Sequence, residues 1–144
     1  MFSKTCEYAI RALIFIAQKS KDGYRVGIKE ISAGIDAPES FIAKILQLLA
    51  KHNLVQSLKG PTGGFYLDKK SLLKSVADIV KAVDGDKIFT GCGLGLNYCS
   101  EKKPCPIHNE FKKVRTEIST MLHSAKIGEL QEQLENKLVY LKQR

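Results

Sequence analysis

Apolar and polar positions change rhythm several times along the chain, and each change marks an element. Residues 4–18 are apolar almost all round, through Tyr8, Ala9, Ile10, Ala12, Leu13, Ile14, Phe15, Ile16 and Ala17. Only Glu7, Arg11 and Gln18 form a polar stripe at helical spacing. A short helix this apolar has to be covered on more than one side, by the second half of the chain or by a second subunit. Asp22-Gly23 is a turn. Residues 28–34 predict a short helix closed by Gly34 in a left-handed C-cap. Asp36 then reads as an N-cap and Pro38 as a first-turn residue of a longer helix ending near His52. Ile42, Ile45, Leu46 and Leu49 share one face of it; Ser40, Lys44, Gln47 and Lys51 share another. A short helix, a tight turn containing glycine and a longer helix with a polar, basic outer face make a helix-turn-helix pattern.

Leu54 to Leu58 and Phe65 to Leu67 read as short strands around a turn at 59–64, a hairpin placed where a wing would sit. Ser75 and Asp78 form a capping-box pair that opens a helix with Val76, Ile79, Val80 and Val83 on its core face and Gly85 at its end. Residues 85–106 show no periodicity, and loops of that length are uncommon unless functional. Ile107, Phe111, Val114, Ile118, Leu122 and Ala125 then recur in steps of four and three, a seam suited to helix pairing. Ile127, Leu130, Leu134, Leu138 and Leu141 continue it after a predicted break near Gly128, and the tail beyond residue 136 is expected to fray. The predicted fold is mainly α with a small β-wing. Residues 1–74 form a winged helix-turn-helix DNA-binding domain, 75–106 a linking helix and cysteine-containing loop, and 107–144 a long dimerisation helix with a C-terminal helix.

Composition narrows the classes. With 144 residues, 44% hydrophobic and 26% charged, the chain has the make-up of a folded globule. Its longest uninterrupted apolar run, Ala12 to Ala17, is too short to span a bilayer. The first residues lack the order of a secretory leader, so the expectation is a cytoplasmic protein with no membrane partner. Net charge is +8, and its distribution is uneven: residues 1–74 carry 12 basic and 6 acidic groups, residues 75–144 carry 11 and 9. A solubilising lysine surface would give the same sum. The basic half coincides with the helix-turn-helix and wing, however, and that favours double-stranded DNA. Ser40, Lys44 and Gln47 suit base edges, and Lys29, Lys51 and Lys59 suit phosphates. Gly60, Thr62 and Gly63 keep the wing tip small enough for a minor groove, with Lys59 as the inserted charge.

Cys92, Cys99 and Cys105 fall in one window, with two residues separating the last of them from His108. In a reducing compartment such a cluster is a ligand set before it is a disulfide framework. Three thiolates and an imidazole suit zinc or an iron–sulfur cluster. The gaps exceed those of paired zinc ligands, and Gly91, Gly93 and Gly95 let the backbone fold around a bulkier object, which favours iron–sulfur. His108 and Glu7 are rival fourth ligands. Glu7 also suits an i, i+4 ion pair with Arg11, and Cys6 suits a small buried hydrophobe. A metal-free thiol switch, or an iron–sulfur or zinc carrier whose basic half docks a protein, would use the same residues. An enzyme is disfavoured, because no motif pairs a nucleophile with a base or cradles a phosphate.

Glu-Tyr-Ala-Ile-Arg-Ala-Leu at 7–13, Lys-Gly-Pro-Thr-Gly-Gly-Phe at 59–65, Val-Asp-Gly at 83–85 and the Cys92–His108 stretch together resemble the IscR/NsrR/CymR family of bacterial winged-helix transcription regulators. The resemblance covers about residues 1–135. It implies a homodimer joined through the long helix at 107–124 and reading a palindromic operator. It also implies that Cys92, Cys99 and Cys105 hold an iron–sulfur cluster, a two-iron two-sulfur one ahead of a four-iron four-sulfur one. His108 matches the histidine that completes such a site in one branch, and Glu7 the carboxylate that does so in another. Ser40 and the 59–64 turn match DNA-contacting positions. Three features depart from the family pattern: a first cysteine gap one residue longer, Ala43 in place of a common glutamate, and Lys59 in place of a common arginine.

Overall fold

The first helix is capped where its sequence allows: the Ser3 side chain accepts from the Cys6 N–H, and α1 runs Lys4–Lys19. The structure, a computed structural model, describes residues 1–143. The last residue of the 107–144 segment therefore lies outside the described residues. After α1 come α2 (Ile28–Ile35), α3 (Glu39–Lys51), β1 (Gln56–Leu58), β2 (Gly64–Tyr66) and α4 (Lys69–Leu72). They are followed by α5 (Val76–Asp84), α6 (Lys87–Thr90), α7 (His108–Ser124) and α8 (Ile127–Glu135). The architecture is mainly helical with one small antiparallel sheet, as the pattern predicts.

The apolar girdle of α1 is covered by its own chain. Leu13 and Ile16 are fully buried among Ile31 and Ile35 of α2, Ile42 and Leu49 of α3, Ile79 of α5 and Ile127 of α8. Cys6 is fully buried, as a small hydrophobe would be. The capping box at Ser75 is present in full, with the Ser75 side chain accepting from Asp78 N–H and the Asp78 side chain accepting from Ser75 N–H. Gly85 closes α5 in the left-handed region at φ 78°.

Four local expectations are corrected. The left-handed residue after α2 is Asp36 (φ 56°), not Gly34, which lies inside the helix. Gly34 is needed there for another reason: a Cβ at this position would stand 2.1 Å from the Phe15 ring. With Asp36 serving as C-cap of α2, Pro38 takes the N-cap position of α3. The helix break falls at Ala125 and Lys126, not near Gly128, because Ala125 O accepts from Val76 N–H and Ile127 N–H donates to Lys74 O, pinning the chain to the start of α5. Finally, the tail is held beyond residue 136: Leu141 packs on the main core and Lys142 Nζ donates to Ala33 O at 3.1 Å.

Along α7, Leu122 turns inward to join Val76 and Val80, while Ile107, Val114 and Met121 stay exposed and Phe111 and Ile118 half-buried. Residues 85–106 are also less irregular than their composition suggests, since α6 occupies Lys87–Thr90.

Candidate DNA-reading surface and cysteine site

The wing is shorter than its apolar run. Gln56 pairs with Tyr66, Ser57 with Phe65 and Leu58 with Gly64, while Leu54 and Val55 are buried beneath. Gly63 is required by the turn, because a Cβ there would lie 2.0 Å from Leu58 O. Val26 bridges to Phe65 as a third strand in miniature, and the Arg25 guanidinium lies 4.0 Å from the centre of the Tyr66 ring. The wing thus has a fixed root and a polar tip.

Between that tip and the first turns of α2 and α3 lies an open cleft of about 900 Å³, lined in part by Lys29, Ser40, Ala43, Gly60 and Gly63. Lys44, Gln47 and Lys51 continue the exposed face of α3, and Lys59 and Thr62 are exposed in the turn. Two carboxylates that the sequence reading passed over, Glu30 and Glu39, share the cleft, and Glu30 is anchored by the Tyr24 hydroxyl at 2.6 Å.

The loop from α6 to α7 brings one of its thiols, Cys99, against His108. Cys99 Sγ lies 3.2 Å from Nδ1 of His108, whose ring is buried at the start of α7. The Cys92 sulfur instead accepts from the Leu94 N–H at 3.4 Å. Backbone N–H groups of Leu94 and Leu96, and then the Cys105 side chain, hold the Cys92 thiol below its ordinary range. Cys6 is the opposite case: burial, followed by the charge of Asp84, pushes it up to about 12. None of the four cysteines is in a disulfide.

Two contacts on α7 hold the loop in place. Arg115 Nη1 donates to Gly91 O at 2.8 Å, and Gly93 sits so close to the Phe111 ring that a Cβ would approach it to 2.8 Å. Beside them a cavity of about 550 Å³ is lined by Cys92, Ile88, Phe111, Ile118 and Asp84. Among the described residues no three Cys, His, Asp or Glu side chains converge on one point as a ready-made metal site. The donor chemistry nevertheless suits a soft metal centre: three free thiols, one imidazole, and a backbone N–H (Leu94, 3.4 Å) already directed at a sulfur.

Glu7 stands apart from these donors. It pairs with Lys4 at 3.4 Å and faces a different cavity, lined also by Phe2, Ile10 and Tyr140. The expected Glu7–Arg11 pair does not form, because the Arg11 guanidinium donates to Ile35 O and lies over the Tyr8 ring. Sequence reasoning also passed over Glu101. Its carboxylate faces Nε2 of His108 at 3.3 Å and pairs with Lys112; Lys112 first, and then His108, hold it below the usual carboxylate range.

No helix among the described residues is long and apolar enough to cross a membrane. The chain is 31% identical over 132 residues, 90% of each protein, to a chain of Aquifex aeolicus described as an HTH-type transcriptional regulator. It is 30% identical to the HTH-type transcriptional regulator IscR of Yersinia pseudotuberculosis, over 85% of this chain and 74% of that protein. These relatives are regulators and not enzymes. Its fold is similar to that of T. potens IscR, with a TM-score of 0.75 at 21% identity over 100% of this chain and 93% of that one. It is similar also to CymR, the global cysteine regulator of B. subtilis, with a TM-score of 0.74 at 17% identity over 92% and 96% of the two chains. The model of a family described as iron-dependent transcriptional regulators matches residues 2–133, and the chain belongs to that family, Rrf2.

Proposed function

We propose that the protein is a homodimeric regulator whose hold on a palindromic operator is set by an iron–sulfur cluster bound at Cys92, Cys99, Cys105 and His108. The observation that carries the reading is the meeting of Cys99 Sγ and His108 Nδ1 at 3.2 Å across the loop that also carries the free thiols Cys92 and Cys105. Four side-chain donors with one imidazole among them favour a two-iron two-sulfur cluster. A bound cluster supplies a centre whose charge and integrity respond to redox state, nitric oxide or iron supply. The protein's part is to order the 92–108 loop between the α5–α6 segment and α7.

The second copy is argued from α7. Ile107, Val114 and Met121 are 42%, 51% and 51% exposed on one helix face with Phe111 and Ile118, an apolar seam that a second α7 would cover. Residues 1–74 then act as the reading domain, 75–106 as the link and 107–144 as the dimerisation unit. Lys29, Lys51 and Lys59 take phosphates, Ser40, Lys44 and Gln47 take base edges, and Gly60, Thr62 and Gly63 let the wing approach the duplex. Two such heads on one face of DNA would be centred about 34–36 Å apart. A DNA-binding role places the protein in the cytoplasm.

Anaerobic absorption with iron and sulfide analysis tests the cluster, and sedimentation tests the dimer. DNA binding of loaded and metal-free protein, followed by anisotropy across a salt series, tests the coupling. A colourless protein carrying stoichiometric zinc overturns the cofactor, a monomer overturns the seam, and identical DNA affinity in the two forms overturns control by the cluster.

A further inference from the structure

The ring of His108 is 4% exposed, and both of its nitrogens are approached by side chains. Nδ1 faces Cys99 at 3.2 Å. Nε2 faces Oε2 of Glu101 at 3.3 Å, within ion-pair reach but off the line of a well-aligned hydrogen bond, and it has no other partner among the described residues. The other oxygen of that carboxylate, Oε1, is taken by Lys112, one helical turn beyond His108. The carboxylate is therefore gripped on one oxygen and turned toward the ring with the other.

A neutral imidazole carries one N–H and one bare nitrogen, and the hydrogen bond made on one side decides which is which. An ionised carboxylate accepts and never donates, so the nitrogen it faces is the one that keeps the hydrogen. We propose that Glu101 is the positioning residue for His108: it keeps the hydrogen on Nε2 and presents a bare Nδ1 on the side where Cys99 stands. The inference rests on the reading above in so far as His108 is taken to ligate; the choice of tautomer stands without it. Histidine ligands commonly give their second N–H to a carboxylate, which fixes both ring orientation and donor strength. Here the carboxylate comes from the loop between Cys99 and Cys105, so the path of the loop and the aim of the ring are tied together.

The tautomer is read by nitrogen-15 resonances of the imidazoles in full-length, reduced, metal-free protein. The expected result is an Nε2–H ring at His108 in the wild type, a mixed ring in Glu101→Ala, and a largely retained Nε2–H ring in Glu101→Gln, whose amide oxygen still accepts. An unchanged ring in Glu101→Ala overturns the proposal. After anaerobic reconstitution with ferrous iron and sulfide, Glu101→Ala should lose its iron to a chelator about tenfold faster than wild type. In a His108→Ala background the same change should add nothing, because its effect passes through the ring; a full additive effect overturns the positioning role. If His108→Ala retains iron as well as wild type, the ligand reading fails, and the tautomer measurement alone decides the part played by Glu101.

Discussion

In the helix-turn-helix half of the molecule Leu13, Ile16, Ile31, Ile35, Ile42, Leu46 and Leu49 are essentially sealed from solvent, whereas no side chain from Gly91 to Pro106 is buried and Leu94, Leu96 and Tyr98 stand exposed. The first region is held by hydrocarbon packed in close contact, the second by a few directional contacts and the freedom of its glycines. A packed region keeps its shape whatever it binds. A loop like this one, tied to α7 at Arg115 and Phe111 and otherwise exposed, is the part whose order a ligand on its donors would change most.

The comparison breaks most completely under cysteine replacement. Cys99→Ser should abolish iron retention after reconstitution while leaving thermal unfolding of the metal-free protein within the scatter of surface substitutions, about 0.5 kcal/mol. Leu46→Ala should do the reverse, lowering unfolding free energy by about 2–5 kcal/mol in denaturant titrations with the Cys99–His108 contact undisturbed. A loss of stability in Cys99→Ser as large as that of Leu46→Ala would erase the distinction. Gly34→Ala, which drives a methyl group into the Phe15 ring, should cost about 1–3 kcal/mol by the same measurement.

Ser75→Ala sharpens the picture at the junction between the two regions, with an expected cost of about 1 kcal/mol. Burial alone would raise the Asp78 carboxyl, but the bonds from Ser75 outweigh it and hold the group below its ordinary 3.8. A carboxyl held low in the fold stabilises it above the unfolded value and loses that contribution as pH falls through the lower folded value. The gap between Ser75→Ala and wild type should therefore be full at neutral pH and narrow in acid below the usual aspartate range. The smallest effect belongs to Lys59→Ala: if the wing tip meets a phosphate, the slope of DNA affinity against salt should fall by about one unit, with little change in stability.

Much of the packed half was legible because burial imposes a period. The α3 face of Ile42, Ile45, Leu46 and Leu49, the Ser75–Asp78 box and the Gly85 stop all follow from local rules and stand in the structure. Local rules failed where a distant neighbour decided the matter. Gly34 looks like a C-cap from its own helix but is a clearance for Phe15, which leaves Asp36 to take the left-handed turn. Gly128 looks like a break, yet the chain bends at Ala125 because residues 74–76 bond it there. Arg11 left Glu7 for a carbonyl and an aromatic ring on other elements, or on its own helix one turn away. In the cysteine site the spacing showed the donors but not how they pair, and Glu101 was invisible, since one carboxylate in a charged, aperiodic stretch carries no mark of the ring it faces.

The paired bonds between residues 74–76 and 125–127 have a mechanical consequence. They gather the outgoing and returning segments of chain at a common neck, beyond which α5 stays seated in the core through Ile79 while α6, the cysteine loop and α7 lead away from it and back. The tie fixes the start of α5 against the end of α7, so slack or tension in the loop cannot draw chain past the neck. Whatever strain the sulfur-bearing loop takes up is therefore borne at the free end of α5 and the first turns of α7, where Arg115 and Phe111 meet the loop.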